Sequence, residues 1–325
     1  MTVFPAITLP APAQGWIERV ASDFLHPPGM PAFDFAAPAG EPALAPHDGV
    51  AWRLFKNPLV LFVGGIAAVL LELAEPRIRE GVWEHSRFRD DPLGRLRRTG
   101  LAAMVTVYGP RTKAAAMIAG VGRLHATIAG STPEGRAYRA DDPDLLAWVQ
   151  ATAAFAILTA HERFVAPLTA ADRDHAYAEG VPAAALYGAP GAPASHAALL
   201  AFFDARRDDL APTPIIFQFL EILRGTPVLP QPFRPLQPLL LKAAVDVLPI
   251  WVRSRLGLGS RWSLKAWERP LVTAMARTAD RLILRDGPAV QSCRRLGLAD
   301  DYLYRRTRGA GAARGLAPAQ LTGGL

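Results

Sequence analysis

The sequence predicts a mainly α-helical fold, on three observations. Half of its 325 residues are apolar, enough to bury a sizeable core. Ala/Leu-rich runs with helical spacing recur over residues 58–165 and 233–285, and no stretch sustains the alternation of a half-buried strand. Proline repeatedly stands where the first turn of a helix would begin, the position that suits its fixed φ and missing N–H.

Residues 1–48 are rich in proline and read as an irregular arm with one short helix around Trp16–Phe24. Residues 49–84 form two or three helices punctuated by Pro58 and Pro76. The most apolar stretch, Leu59 to Leu71, is about 13 residues long. A bilayer needs roughly 20, so this is a core helix rather than a span. The same holds for residues 236–252, which Lys242 and Asp246 interrupt. Asp90-Asp91-Pro92 opens the next helix and Gly109-Pro110 ends it; another follows from Arg111 to Ile128 and stops at Gly130. Asp142-Pro143 starts the longest helix, to Val165. Thr169 and Asp172 have capping-box spacing and open a short helix to Glu179. Residues 188–195 are a loop, and helices follow at 195–208, 214–224 behind Thr213-Pro214, 234–247, 249–256, 264–285 and 287–296. The boundaries drawn are an arm over 1–48, a helical domain over 49–305 and a disordered Gly/Ala-rich tail over 306–325.

The formal net charge of +7 is uneven: residues 251–325 carry +9 and the first 250 residues −2. A basic segment can meet anionic lipid or nucleic acid. However, 32 of the 36 basic residues are Arg beside abundant Ala, Gly and Pro, a compositional bias, and no aromatic–basic interleaving or zinc-finger spacing supports nucleic-acid binding. The single cysteine, Cys293, excludes an internal disulfide and a Cys-based metal site. The N-terminus has no basic region before an apolar run and is broken by prolines, unlike a secretory signal. A cytoplasmic protein is expected.

Few residues can carry chemistry. His125 shares a helix face with Ala114, Met117, Ile118, Val121 and Ile128, so it is expected to point into an apolar interior. A lone histidine there is either a core residue bonded to a carbonyl or a neutral imidazole available to iron. Arg95, Arg98 and Thr99 fall three and four apart and can share a face, either as a solvated basic stripe or as the polar wall of a site. Gln150 and His161, eleven apart, mark one face of the longest helix and suggest a pocket or interhelical hydrogen bonds. His175 and Glu179 read as a surface pair. Hydrolase, kinase and dehydrogenase motifs are absent: no Gly-x-Ser-x-Gly, phosphate loop, His-Glu-x-x-His or dinucleotide fingerprint occurs.

Three runs together, GVWEHSRFRDDPLGRLRRT, VYGPRTKAAAMIAGVGRLHATIAG and YRADDPDLLAWVQATAAFAILTAHERFVAPLTAADRD, resemble the catalytic domain of latex-clearing rubber oxygenases and MpaB-type oxygenases over residues 45–260. The resemblance implies a globin-like helical core, one haem b, and dioxygen-dependent cleavage of an isoprenoid C=C bond. It implies His125, in HATIAG, as the proximal iron ligand, Arg95, Arg98 and Thr99 on the distal side, and His85, in EHSRF, in the haem neighbourhood together with Gln150 and His161. Two departures stand out. Arg98 occupies the place of a lysine that can reach iron, and a guanidinium stays protonated and cannot ligate. Gln150 replaces a frequent histidine. A hydrophobic substrate implies peripheral contact with a membrane. Two other readings remain at this point: a non-enzymatic helical module that binds an apolar ligand or a membrane surface, and a non-haem metal site built from His85, His125 and His161.

Overall fold

The computed structural model describes residues 4–7, 9–25, 29 and 32–305, so the expected tail over 306–325 lies outside the described residues. The chain is mainly helical, in this order: α1 (Ala11–Leu25), α2 (Val50–Phe55), α3 (Pro58–Ala74), α4 (Pro76–His85), α5 (Pro92–Tyr108), α6 (Arg111–His125), α7 (Pro143–Phe164), α8 (Ala170–Leu186), α9 (His196–Ala205), α10 (Pro214–Gly225), α11 (Gln237–Val247), α12 (Ile250–Arg255), α13 (Glu268–Arg281) and α14 (Pro288–Arg295). Between α6 and α7 the strands β1 (Ala129–Ser131) and β2 (Ala137–Arg139) form an antiparallel ribbon, with Gly130 opposite Tyr138.

The cap-then-proline boundaries form as read. Asn57 accepts from the backbone N–H groups of Leu59 and Val60. Glu75, Asp91, Asp142 and Thr213 cap α4, α5, α7 and α10 in the same way, each just before a proline. Thr169 and Asp172 make a reciprocal capping box. Each cap satisfies donors that a helix start leaves without partners, typically worth about 1 kcal/mol.

Four elements differ from expectation. α1 is longer than the short helix read there. α6 stops at His125, a turn over 126–128 follows, and the ribbon begins at Ala129. α8 runs on through Gly180 and Pro182 because Ala176, Tyr177, Ala183 and Ala184 are buried on one side. α13 begins only at Glu268, whose carboxylate accepts from the Lys265 N–H at 2.7 Å and holds the preceding turn.

α3 and α7 form the centre, and α11 and α13 pack on both. Close approach at the α3–α7 crossing depends on Gly64: a Cβ there would lie 2.7 Å from the Ile157 side chain and 3.1 Å from the Ala156 carbonyl. The large core around α3 and α7 takes in Leu70, Leu71, Trp148, Phe164, Phe219 and Leu241. A second cluster is separate from it: Phe35, Trp52, Leu101, Val105, Tyr108, Ala114, Cys293 and Tyr304 join α2, α5, α6 and α14. Each large side chain in either cluster contributes roughly 1.5–3 kcal/mol by leaving water.

α7 is long and apolar enough to cross a membrane by length and composition, but 56% of its most apolar window is buried inside the protein. α3 reaches that length only together with α4, across a bend of 111°. Both have the pattern of core helices.

Candidate active site

The border between the two apolar clusters carries the candidate site. α5 packs on α1, α2, α6 and α14 and bridges the two clusters, with Leu101, Val105 and Tyr108 in the second and Leu93 and Leu96 against the first, to which α3 belongs. One face of α3 is left uncovered: Leu61, Val69 and Glu72 are only half-buried, and Gly65, in mid-helix, is exposed. These residues are four, four and seven positions from Gly65, hence on its side of the helix. A Cβ on Gly65 would meet nothing within 4 Å. Adjacent glycines thus serve opposite ends, Gly64 for contact and Gly65 for open space. On α7, Val149, Gln150 and Ala153 are likewise half-buried.

Three ionisable groups interact at this seam. Burial pushes the Glu72 carboxyl up to about 7, against the opposing charge of Arg95. Burial also lowers Arg95 from its ordinary value, with Glu72 opposing and the like charge of Arg98 adding. Yet Arg95 is reached by solvent. Both hold for a side chain in the wall of a concavity, with protein on most sides and water on one. His125 is lowered by burial first and by the Arg95 charge second, with Asp141 opposing. Its imidazole is therefore neutral at neutral pH, the form in which a ring nitrogen can hold a metal.

His125 differs from expectation in one respect. It is half-buried rather than enclosed, because it is the last residue of α6, and the residues before it, Gly122, Arg123 and Leu124, are exposed. Only Ala114 and Ile118 of its helix are buried. The face read from spacing exists, but its last turn lies at the border of the clusters instead of in the core.

Arg98 and Thr99 are engaged locally. Nη1 of Arg98 donates to the cap residue Asp91 at 3.3 Å, and Thr99 Oγ1 donates to the Arg95 carbonyl at 3.0 Å. Of the trio read from sequence, Arg95 is the one whose charge reaches both Glu72 and His125. His85, at the end of α4, is exposed, with Nε2 3.2 Å from the Tyr138 hydroxyl of β2. That tyrosine lies over Gly130, where a Cβ would come within 2.5 Å of its oxygen.

His161 lies in different surroundings. It is fully buried with no hydrogen-bond partner within 3.5 Å of either ring nitrogen, and burial pushes it down to about 4 against a weaker opposing contact with the Ala166 backbone. Its charged neighbours are Lys56, Asp280 and Glu162. Lys56 and Asp280 form a buried ion pair at 2.8 Å, and Asn57 donates to the same carboxylate at 3.3 Å. The structure does not bring His161 together with Arg95 and His125. Among the described residues no three His, Cys, Asp or Glu side chains form a metal-binding group. His85, His125 and His161 therefore do not make a common site. Glu179, four residues from His175, instead accepts the Val50 and Ala51 N–H groups at 2.9 and 2.8 Å and caps α2.

Glu72 is the functional candidate that sequence reasoning missed. The available signal was a lone carboxylate in the 17-residue apolar helix PLVLFVGGIAAVLLELA. A charge so placed needs either a partner or a wet cavity.

Residues 52–281 match the family described as the catalytic domain of ER-bound oxygenase mpaB/B' and rubber oxygenase. No curated protein and no solved structure matches the chain. With Glu72, Arg95 and His125 all inside the matched region, which spans most of its length, the chain belongs to the mpaB/rubber oxygenase catalytic-domain family of oxygenases.

Proposed function

We propose that the protein is a haem b oxygenase that acts with dioxygen on a hydrophobic, isoprenoid-like substrate, oxygenating or cleaving a C=C bond. The observation that carries this is the His125 imidazole, lowered by burial and within reach of the Arg95 charge, which in turn reaches Glu72 of α3.

The residues present fit a flat apolar group with one nitrogen ligand. Leu61, Gly65 and Val69 on α3 and Val149 and Ala153 on α7 offer an uncovered, largely apolar face. His125 would hold the metal through its imidazole. When bound, the haem supplies an iron that takes dioxygen and exchanges electrons with it.

The remaining roles belong to the chain. Arg95 keeps a fixed positive charge in a partly dehydrated wall, where a donor stabilises developing negative charge far better than in water. Glu72, near 7, can take up or release a proton at neutral pH, the property wanted of an acid–base group. The apolar walls exclude water from an apolar substrate and orient it. Arg98, pinned to Asp91, supports the start of α5 and so the placement of Arg95. The lone cysteine is buried and its thiol is pushed up to about 12, so it is unreactive and takes no part in the chemistry.

Purification in the presence of haemin with an absorption spectrum tests the proposal. A Soret band that shifts or disappears in His125→Ala is expected. Absence of the band, or the same band in the variant, overturns it.

A further inference from the structure

The ribbon that follows His125 is fastened to α4 by a phenol. β1 and β2 both pack on that helix. Tyr138, in the middle of β2, is buried between exposed neighbours. On α4 it meets Gly81 and His85, which stand four residues apart and so share a helix face. A Cβ on Gly81 would lie 3.6 Å from the Tyr138 ring, and Nε2 of His85 lies 3.2 Å from its hydroxyl. On β1 its register partner is Gly130, where a Cβ would come within 2.5 Å of the same hydroxyl oxygen. Helix, ribbon and histidine therefore converge on the Tyr138 hydroxyl, and glycine leaves it the room.

Backbone bonds carry this anchorage to His125. The Ala140 N–H donates to the Ile128 carbonyl at 3.0 Å, and the Ile128 N–H donates to the His125 carbonyl at 3.0 Å. One residue back, the N–H and the hydroxyl of Thr127 donate to the Leu124 carbonyl at 3.1 and 2.7 Å. The two ends of this path belong to different cores. Ala114 and Met117 of α6 pack in the second cluster, whereas Ile128 and Tyr138 pack in the first. His125 stands between them, with exposed Gly122, Arg123 and Leu124 before it and exposed Ala126 and Thr127 after it. Packing of its own chain neighbours thus does little to fix the imidazole, and the ribbon is what holds it from the far side. The charge of Asp141, two residues past β2, also reaches the His125 ring, which agrees with the end of the ribbon lying near it.

We infer that Tyr138 is a positioning residue for His125, with His85 as the group that holds the Tyr138 hydroxyl in place. The inference rests on the reading of His125 as the iron ligand. A ligand nitrogen has to be held to within about 0.5 Å, and partners behind the ligand supply that precision. His85 thereby acts through the ribbon, two steps removed from the cofactor.

Hydrogen–deuterium exchange of the cofactor-free protein and modification of its histidines by diethyl pyrocarbonate, both read by peptide mass, test the clamp without haem. Tyr138→Phe keeps the buried ring and removes only the hydroxyl. Exchange over residues 124–131 and modification of His125 should each rise by about fivefold, the effect of one lost hydrogen bond on a local opening equilibrium. Peptides from α3, α7 and α14 should keep the parental rates. His85→Ala, at an exposed position, should act alike, and His85→Gln, whose amide can still reach the hydroxyl, should restore the parental behaviour. In the haemin-loaded, reduced proteins the iron–histidine stretching band should shift or broaden in Tyr138→Phe and His85→Ala and return in His85→Gln. Parental exchange and modification in Tyr138→Phe, or loosening that leaves the band unmoved, overturns the inference. A parent protein without a Soret band overturns the haem assignment instead, and the clamp then stands or falls on exchange and modification alone.

Discussion

Glu72 of α3 and Arg95 of α5 lie within range of each other's charge at the border of two apolar clusters, without a hydrogen bond between them. The carboxyl is raised to about 7, so in the folded chain its ionisation is opposed. Unfolded, it ionises near its ordinary value. The resulting cost to the fold is absent below the unfolded value, grows as pH rises towards 7 and is complete above it. Glu72→Gln should therefore stabilise the protein by about 1–3 kcal/mol at mildly alkaline pH and much less in acid, as urea denaturation would show. Equal effects at both pH values would mean that the carboxyl is not held protonated. The same variant should flatten the neutral-pH limb of any oxygenase rate profile.

His161 has the opposite sign. Its folded value, pushed down to about 4, lies below that of a free imidazole. The unfolded chain then takes up a proton first, so stability is full above the unfolded value and declines as pH falls towards 4. His161→Leu removes two unpaired buried nitrogens at similar volume. It should be neutral or stabilising at neutral pH, by up to about 2 kcal/mol, and should lose less stability than the parent on acidification. Guanidine denaturation across that pH range is the measurement.

Gly64→Ala and Gly65→Ala should separate despite being neighbours. The first drives a methyl into Ile157 and the Ala156 backbone and should cost about 1–3 kcal/mol in thermal unfolding. The second meets open space and gains up to about 1 kcal/mol of helix propensity. Gly65→Phe should keep the fold while filling that space, and should reduce haem uptake measured at the Soret band. Unchanged uptake would place the cofactor elsewhere.

Asp246→Asn should be among the more damaging single changes, because it leaves three arginines without their shared counter-charge. A loss of about 1–3 kcal/mol is expected by chemical denaturation, since the three arginines left behind are partly exposed. Adding Arg269→Gln should recover part of it, since the pair acts on one site.

Helix boundaries were legible because their signals are local. Asn57, Glu75, Asp91 and Asp142 each cap a helix whose first residue is proline, and that chemistry needs no tertiary partner. The core role of the Leu59–Leu71 run was equally plain from its length and apolarity. What periodicity could not show was the end of α6. His125 shares a face with Ile118, but the helix ends there, the chain turns over 126–128 and the ribbon begins at Ala129, and that turn decides its exposure. Nor could spacing show that Arg98 bonds to Asp91, a neighbour seven residues back, while Arg95 faces Glu72 from another helix. A pairing between distant helices leaves no mark in a single sequence.

The second apolar cluster has a consequence for the order of folding. Ser292 donates to the Tyr108 carbonyl at 2.8 Å, Arg295 donates to the carbonyls of Phe35 at 2.6 Å and Tyr108 at 2.7 Å, and Tyr108 donates to Trp52 at 2.6 Å. The Ser292 and Arg295 bonds span 184 to 260 residues, so this cluster is complete only after α14, the last helix among the described residues, has been made. Residues 52–281, the stretch that carries the family likeness, omit both Phe35 and α14. A fragment cut to those limits would expose Leu101, Val105 and Tyr108 on the back of the helix that presents Arg95. The catalytic segment is thus shorter than the unit that can hold it in shape.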